Sequence, residues 1–118
     1  MAVLEIKENL RFTIRFPFPF SGPPQAEQEE LKKIGRIGET VRLVCPISGY
    51  PTPMVEWSKN GEKIDFMWER HLTGRKSLKI KNANEDDTGV FTCKAINGFG
   101  SEEVRIELIV VGEDGIFL

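Results

Sequence analysis

The chain has 118 residues, which leaves room for one domain of ordinary size with some residues to spare. Its formal net charge is −2, so no overall field favours nucleic acid, and any anion site must be a local patch. No apolar run reaches the roughly 20 residues of a membrane-spanning helix, and charged residues interrupt any secretory signal near the start. We therefore expect no membrane contact within this chain, and an extracellular location would make it part of a longer protein.

Residues 1–30 follow no single pattern. Apolar and polar residues alternate up to Phe16, which predicts a half-buried strand, and the alternation of proline with phenylalanine at 16–20 then ends it. A glutamate-rich stretch follows at 25–30. We interpret 1–30 as an N-terminal extension and acidic linker, disordered or partly extended. Two roles stay open for it, a segment that docks on a neighbour and a tail without function.

The domain proper is predicted to run from residue 31 to 112, with a tail at 113–118. Apolar residues alternate with polar ones in several short runs, which is typical of half-buried β-strands. The predicted strands cover 32–38, 40–46, the segment around Trp57, 63–64, 77–81, the segment around Cys93 and 104–110. Asn-Gly pairs at 60–61 and 97–98 predict tight hairpin turns, because both residues accept positive φ.

Two cysteines, Cys45 and Cys93, lie in two of these alternating runs, with Trp57 between them in the sequence. This arrangement predicts strands on opposite sheets, joined by a Cys45–Cys93 disulfide on which the Trp57 indole packs. Closing so long a loop adds roughly 4 kcal/mol of stability in the chain-entropy account. We therefore predict an all-β sandwich with Greek-key connections and one inter-sheet disulfide. Its expected core residues are Trp57, Leu78 and Phe91.

A set of residues spread over about 32–111 resembles the intermediate-set (I-set) immunoglobulin domain. The set is Gly38, Val41, Leu43, Cys45, Gly49, Pro51, Pro53, Trp57, Lys59-Asn60-Gly61, Leu78, Ile80, Asp87, Gly89, Cys93, Ala95, Asn97-Gly98 and Gly100. Within it, the runs 37–46 and 93–101 are similar to the ectodomains of the fibroblast growth factor receptor and receptor-like family. Trp68-Glu69-Arg70 and the acidic exit segment also resemble that family's kinase-lacking, receptor-like type.

Two positions near the second cysteine have expected structural roles. The family usually has tyrosine where this chain has Phe91, so the hydroxyl's hydrogen bond at the corner is absent, at a cost of about 1 kcal/mol. Asp87 is expected to form a structural ion pair with Arg70, with Arg75 as the second choice. The run 85–87 lacks the spaced oxygen donors of a calcium loop, so no metal site is predicted there.

The resemblance implies binding of heparan sulfate and of a protein growth factor. The glycosaminoglycan candidates are the basic residues Lys32, Lys33, Arg36 and Arg42, since clustered cations bind sulfates. The alternative is a solvated face that is positive by chance. The apolar ligand-contact candidates are Ile34, Ile37 and Val111, although packing of the first strand on the sandwich explains Ile37 better. The acidic residues at 113–114 stand where the receptors carry an arginine, which weakens the prediction of growth-factor contact.

No pattern in the sequence supports catalysis, a cofactor or a metal site: His71, the one histidine, has no arranged nucleophile, and no phosphate-binding loop is present. We expect a non-catalytic extracellular binding module of a cell-surface receptor that resembles the growth factor receptors, with a kinase elsewhere in the parent protein left open. Its ligand would be a growth factor, heparan sulfate or both. A cell-adhesion domain and an intracellular filament module of the muscle type are the alternatives. The thiol state of Cys45 and Cys93 and the affinity for heparin distinguish the three.

Overall fold

The computed structural model describes residues 4–6, 12–14, 21–65 and 67–114. The strands β1 (Leu4–Ile6) and β2 (Phe12–Ile14) pair antiparallel, with Leu4 opposite Ile14, and we call them the N-terminal strand pair. The proline-phenylalanine tract at 16–20, Phe66 and the end of the predicted tail at 115–118 lie outside the described residues.

The sandwich is built from ten further strands and one short 3₁₀ helix. The strands are β3 (Gln25–Ala26), β4 (Glu30–Arg36), β5 (Val41–Val44), β6 (Ile47–Ser48), β7 (Met54–Lys59), β8 (Glu62–Lys63), β9 (His71–Thr73), β10 (Ser77–Ile80), β11 (Gly89–Asn97) and β12 (Gly100–Val111), and the helix is η1 (Glu85–Asp87). One sheet has the order β4-β12-β11-β7-β8 and the other β5-β10-β9, while β3 pairs with β6. We call these two main layers the five-stranded and the three-stranded sheet.

The strand β4 pairs in parallel with β12, whereas its neighbours in sequence, β3 and β5, belong to other sheets. This switch occurs over 27–29, between the pairing of Ala26 with Ile47 and that of Glu30 with Arg105. β3 and the first residue of β4 therefore lie before residue 31, the predicted start of the domain. The predicted strand at 40–46 ends at Val44, and Cys45 and Pro46 separate it from β6.

The core lies between the two sheets and is centred on the disulfide. Cys45 and Cys93 are bonded, with Cα atoms 5.9 Å apart, and Trp57 stands opposite Cys93 in the β7–β11 ladder. Trp57, Leu78 and Phe91 are all buried, as are the apolar members of the alternating runs in β5, β10 and β12. Alternation works because successive strand residues point to opposite faces. The predicted all-β sandwich with one inter-sheet disulfide is confirmed.

Candidate binding surfaces

An ion pair closes one corner of the sandwich, where η1 leads into β11. Arg70 donates from Nη1 to Oδ2 of Asp87 and from Nη2 to Oδ1, both at 2.9 Å. Asp87 is 1% exposed and also accepts a hydrogen bond from the backbone N–H of Asn84. Burial alone would raise the pKa of this carboxyl, but the hydrogen bonds from Arg70 and Asn84 outweigh it and hold the pKa below its ordinary value. Arg75, the second choice as partner, is exposed between β9 and β10.

His71 is buried beside this ion pair. Its Nε2 lies 3.7 Å from Oδ1 of Asp87 and has no hydrogen-bond partner among the described residues. The ring meets the edge of Trp68 at a centroid distance of 5.0 Å and stacks on Phe91 at 6.4 Å. Burial lowers the pKa of His71, although the charge of Asp87 opposes this effect. The neutral imidazole is therefore favoured, and its surroundings are those of a core residue.

Phe91 stands opposite Lys59 in the ladder between β11 and β7. The Lys59 ammonium donates to the backbone carbonyl of Asp86 in η1 and lies 5.8 Å from the centroid of the Phe91 ring. A lysine on the neighbouring strand thus supplies a donor at the corner where the family's tyrosine hydroxyl is absent. The sequence alone gives no signal for this role of Lys59, since its opposition to Phe91 depends on strand pairing.

The four basic candidates are divided between the two sheets. Lys32, Lys33 and Arg36 are exposed on β4, in the five-stranded sheet, whereas Arg42 is exposed on β5, in the three-stranded sheet. On β4, Lys32 stands opposite the half-buried Glu107 of β12, which dilutes its charge. The expected single strip of cations is therefore not formed by neighbouring strands of one sheet.

The structure instead groups cations on the outer face of the three-stranded sheet. Arg42 stands opposite Lys79, and Lys79 stands opposite the exposed Leu72. Exposed cations on or beside this sheet, which we call the basic face, are Arg42, Arg75, Lys76, Lys79 and Lys81. β5, β9 and β10 contain no acidic residue, and within the described part of the chain neither Arg42 nor Lys79 forms an ion pair. The sequence carries one signal for this face, which is that residues 70–82 contain no Asp or Glu.

The apolar ligand-contact candidates differ in accessibility. Ile34 is exposed on β4 and stands opposite the half-buried Ile109, so the two present an aliphatic ridge at the edge of the five-stranded sheet. Ile37 is half-buried and packs against the core. Val111 is 3% exposed, so it presents almost no contact surface. The expectation for Val111 is wrong because its side chain is already covered, although it lies outside the core cluster that contains its neighbour Val110.

Residues 24–110, well over half of the chain, match the family model of the immunoglobulin I-set domain. The chain belongs to the immunoglobulin I-set family. The immunoglobulin I-set domain has a non-catalytic fold. Among the residues described, no helix has both the length and the apolar character needed to span a bilayer, and no three His, Cys, Asp or Glu side chains come together as a metal-binding group.

The I-set domain is similar to domains of receptors and adhesion proteins. It is 41% identical over 93 residues to human Fibroblast growth factor receptor-like 1, covering 78% of this chain and 18% of that protein. It is 38% identical over 76 residues to human Cell adhesion molecule DSCAML1, covering 63% of this chain and 4% of that protein. The solved tandem Ig repeats of Dlar align with a TM-score of 0.66 and 32% identity, covering 76% of this chain and 49% of that one. The chain thus spans less than a fifth of the length of these curated relatives.

Proposed function

We propose that this I-set domain is an extracellular ligand-binding module of a cell-surface receptor and that it binds heparan sulfate through the basic face. The similarity to Fibroblast growth factor receptor-like 1 supports the receptor assignment. The observation that carries the choice of ligand is the direct opposition of Arg42 and Lys79 on an exposed sheet face. Like charges placed opposite each other destabilise a sheet, so an anionic ligand would relieve a cost that the free domain bears.

The geometry of the basic face suits a sulfated chain. Outward side chains on neighbouring strands stand about 5 Å apart, which allows several sulfates of one polysaccharide to be contacted together. Arginine adds a forked donor that fits a pair of anionic oxygens better than an ammonium does.

Retention on heparin resin tests this proposal. Exposed charges are screened within about 8 Å at physiological ionic strength, so retention should depend sharply on the salt concentration. If the basic face matches the spacing of the sulfates, we expect the parent to elute from heparin at a higher salt concentration than from a plain cation exchanger. The double variant Arg42→Glu/Lys79→Glu should lose that retention, whereas Lys63→Glu/Lys94→Glu, which changes the net charge equally on the other sheet, should keep it. If the parent is not retained on heparin resin, or if the two double variants are retained equally, the basic face does not bind heparan sulfate. The double variant Lys32→Glu/Lys33→Glu measures how much the lysines of β4 contribute to heparin retention.

We further propose that a growth factor contacts the ridge formed by Ile34 and Ile109. Ile34 is 61% exposed, and full burial of an exposed isoleucine is worth roughly 1.5–3 kcal/mol, whereas the half-buried Ile109 gains less. Ile34→Asp should therefore weaken binding to a panel of fibroblast growth factors, measured by surface plasmon resonance, at least tenfold, while thermal unfolding stays unchanged. Equal affinity of parent and variant would place the protein ligand elsewhere.

The second candidate is an adhesion domain, which the similarity to Cell adhesion molecule DSCAML1 supports. On the outer face of the five-stranded sheet, Lys94 stands between Glu103 of β12 and Glu56 of β7. Such alternating charge can pair with the same surface of a second copy. Aggregation of beads that carry the domain, with no retention on heparin, would favour adhesion. Free thiols at Cys45 and Cys93 in the protein isolated from cells would instead favour the intracellular filament alternative.

A further inference from the structure

One end of the sandwich gathers three segments that are distant in sequence. Gly22 donates its backbone N–H to the carbonyl of Tyr50 at 3.0 Å. The Asn97 side-chain Nδ2 donates both to the carbonyl of Gly22 at 2.9 Å and to that of Pro51 at 3.0 Å. Asn97 thus ties together the entering chain, the loop before β7 and the turn before β12. We call this end the entry pole, formed by 21–24, 49–53 and 97–100.

The entering chain is packed tightly where it crosses the entry pole. A Cβ added at Gly49 would lie 3.1 Å from the Cα of Pro24, a tight contact that a larger residue would make only if the two backbones moved slightly apart. Pro24 is buried, and the chain then continues into β3, which pairs with β6. The position of Ser21 is therefore held by the sandwich, and everything before it in the chain begins at this pole.

The entry pole exposes large apolar side chains and no charge. Tyr50, Phe99 and the adjoining Met54 are 43%, 56% and 70% exposed. The three segments that form the pole contain no Asp, Glu, Lys or Arg. An uncharged apolar patch of this kind is more typical of a contact surface than of a surface left to water.

We propose that the entry pole is the docking surface of the N-terminal strand pair of the same chain. An isolated pair of strands is marginally stable in water and needs a surface to pack against. The sequence of this pair has apolar residues at alternate positions, Leu4 and Ile6 in β1 and Phe12 and Ile14 in β2, a pattern typical of strands with one buried face.

The tether favours this occupant over a separate partner. Only residues 15–20 separate β2 from Ser21, so at about 3.3–3.6 Å per residue the strand pair stays within roughly 25 Å of the pole. A short tether of this kind gives an effective concentration in the millimolar range, far above that of a second copy in a dilute solution. Weak apolar contact with Tyr50 and Phe99 is then sufficient for docking.

Hydrogen exchange of the whole chain, followed by mass spectrometry, tests the docking. In the parent we expect amides of β1 and β2 to be protected. Tyr50→Ser/Phe99→Ser should speed their exchange at least tenfold while peptides from β5 and β11 exchange as before, which shows that the sandwich is intact. The matched control is Met67→Ser/Leu72→Ser, which removes exposed apolar side chains away from the entry pole and should leave the strand pair protected.

Three results would overturn the proposal. Amides of β1 and β2 that exchange at the unprotected rate in the parent would show that no docking occurs. Equal protection in the parent and in Tyr50→Ser/Phe99→Ser would place the strand pair on another surface. Protection that rises with protein concentration would show that a second copy, rather than the same chain, occupies the pole. None of these outcomes depends on heparin retention, so the docking and the proposed ligand are tested separately.

Discussion

Replacing Asp87 with alanine removes the group on which the corner network depends. The change deletes both hydrogen bonds from Arg70 and the one from the backbone of Asn84. Breaking a buried ion pair costs about 3–5 kcal/mol, because one partner is left without compensation. The Arg70 side chain is 34% exposed and keeps the carbonyls of Lys81 and Asn82 as acceptors, so we expect the lower end, about 3 kcal/mol.

Unfolding in guanidinium chloride measures this loss as a shift of the midpoint at constant slope. Asp86→Ala is the matched control, because it removes an exposed neighbouring carboxylate and keeps the backbone carbonyl that accepts from Lys59, so it should change stability by less than about 0.5 kcal/mol. The double variant with Arg70→Ala should cost much less than the sum of the single changes.

The pH dependence gives a second reading of the same network. Because the native pKa of Asp87 lies below its ordinary value of 3.8, the stabilisation is complete above that value and is lost as the pH falls through the native pKa. The difference in stability between parent and Asp87→Ala should therefore narrow in acid. A loss below about 1 kcal/mol at neutral pH, or a loss equal to that of Asp86→Ala, would refute the structural role of the pair.

Two further predictions concern the neighbours of this corner. The native pKa of His71 lies below the ordinary 6.5, so the unfolded chain takes up a proton first as the pH falls, and the parent should lose stability from pH 6.5 downward. His71→Asn should remove this dependence of stability on pH, measured by denaturant titrations at pH 7 and 5.5. Lys59→Met should cost about 1–2 kcal/mol in the same assay, since it removes the donor to Asp86 and the cation over Phe91. Phe91→Tyr should recover about 1 kcal/mol of stability in the Lys59→Met background and little in the parent, where the corner carbonyl already has a donor. Equal effects of Phe91→Tyr in both backgrounds would show that Lys59 does not take the place of the missing tyrosine hydroxyl.

The central features of the sandwich could be predicted from local patterns. Alternation with period two marks which side of a strand is buried, so the sequence predicts that Leu78 and the other apolar members of the strands lie in the core, whichever strands they pair with. Cys45 and Cys93, with Trp57 between them, then indicated that two such strands belong to opposite sheets. These assignments depend on the order of residues within short segments, and the packing of the two layers does not alter them.

The binding surfaces depended on which strands become neighbours, and only the tertiary structure decided this. β4 pairs with β12 and not with β5, its neighbour in sequence, so Lys32 and Arg36 lie in a different sheet from Arg42. Arg42 instead meets Lys79 across a ladder between strands far apart in the chain, and Lys59 meets Phe91 in the same way. The physical reason is that a strand's own sequence specifies its two faces, whereas the identity of its neighbour follows from how all the strands together bury one core.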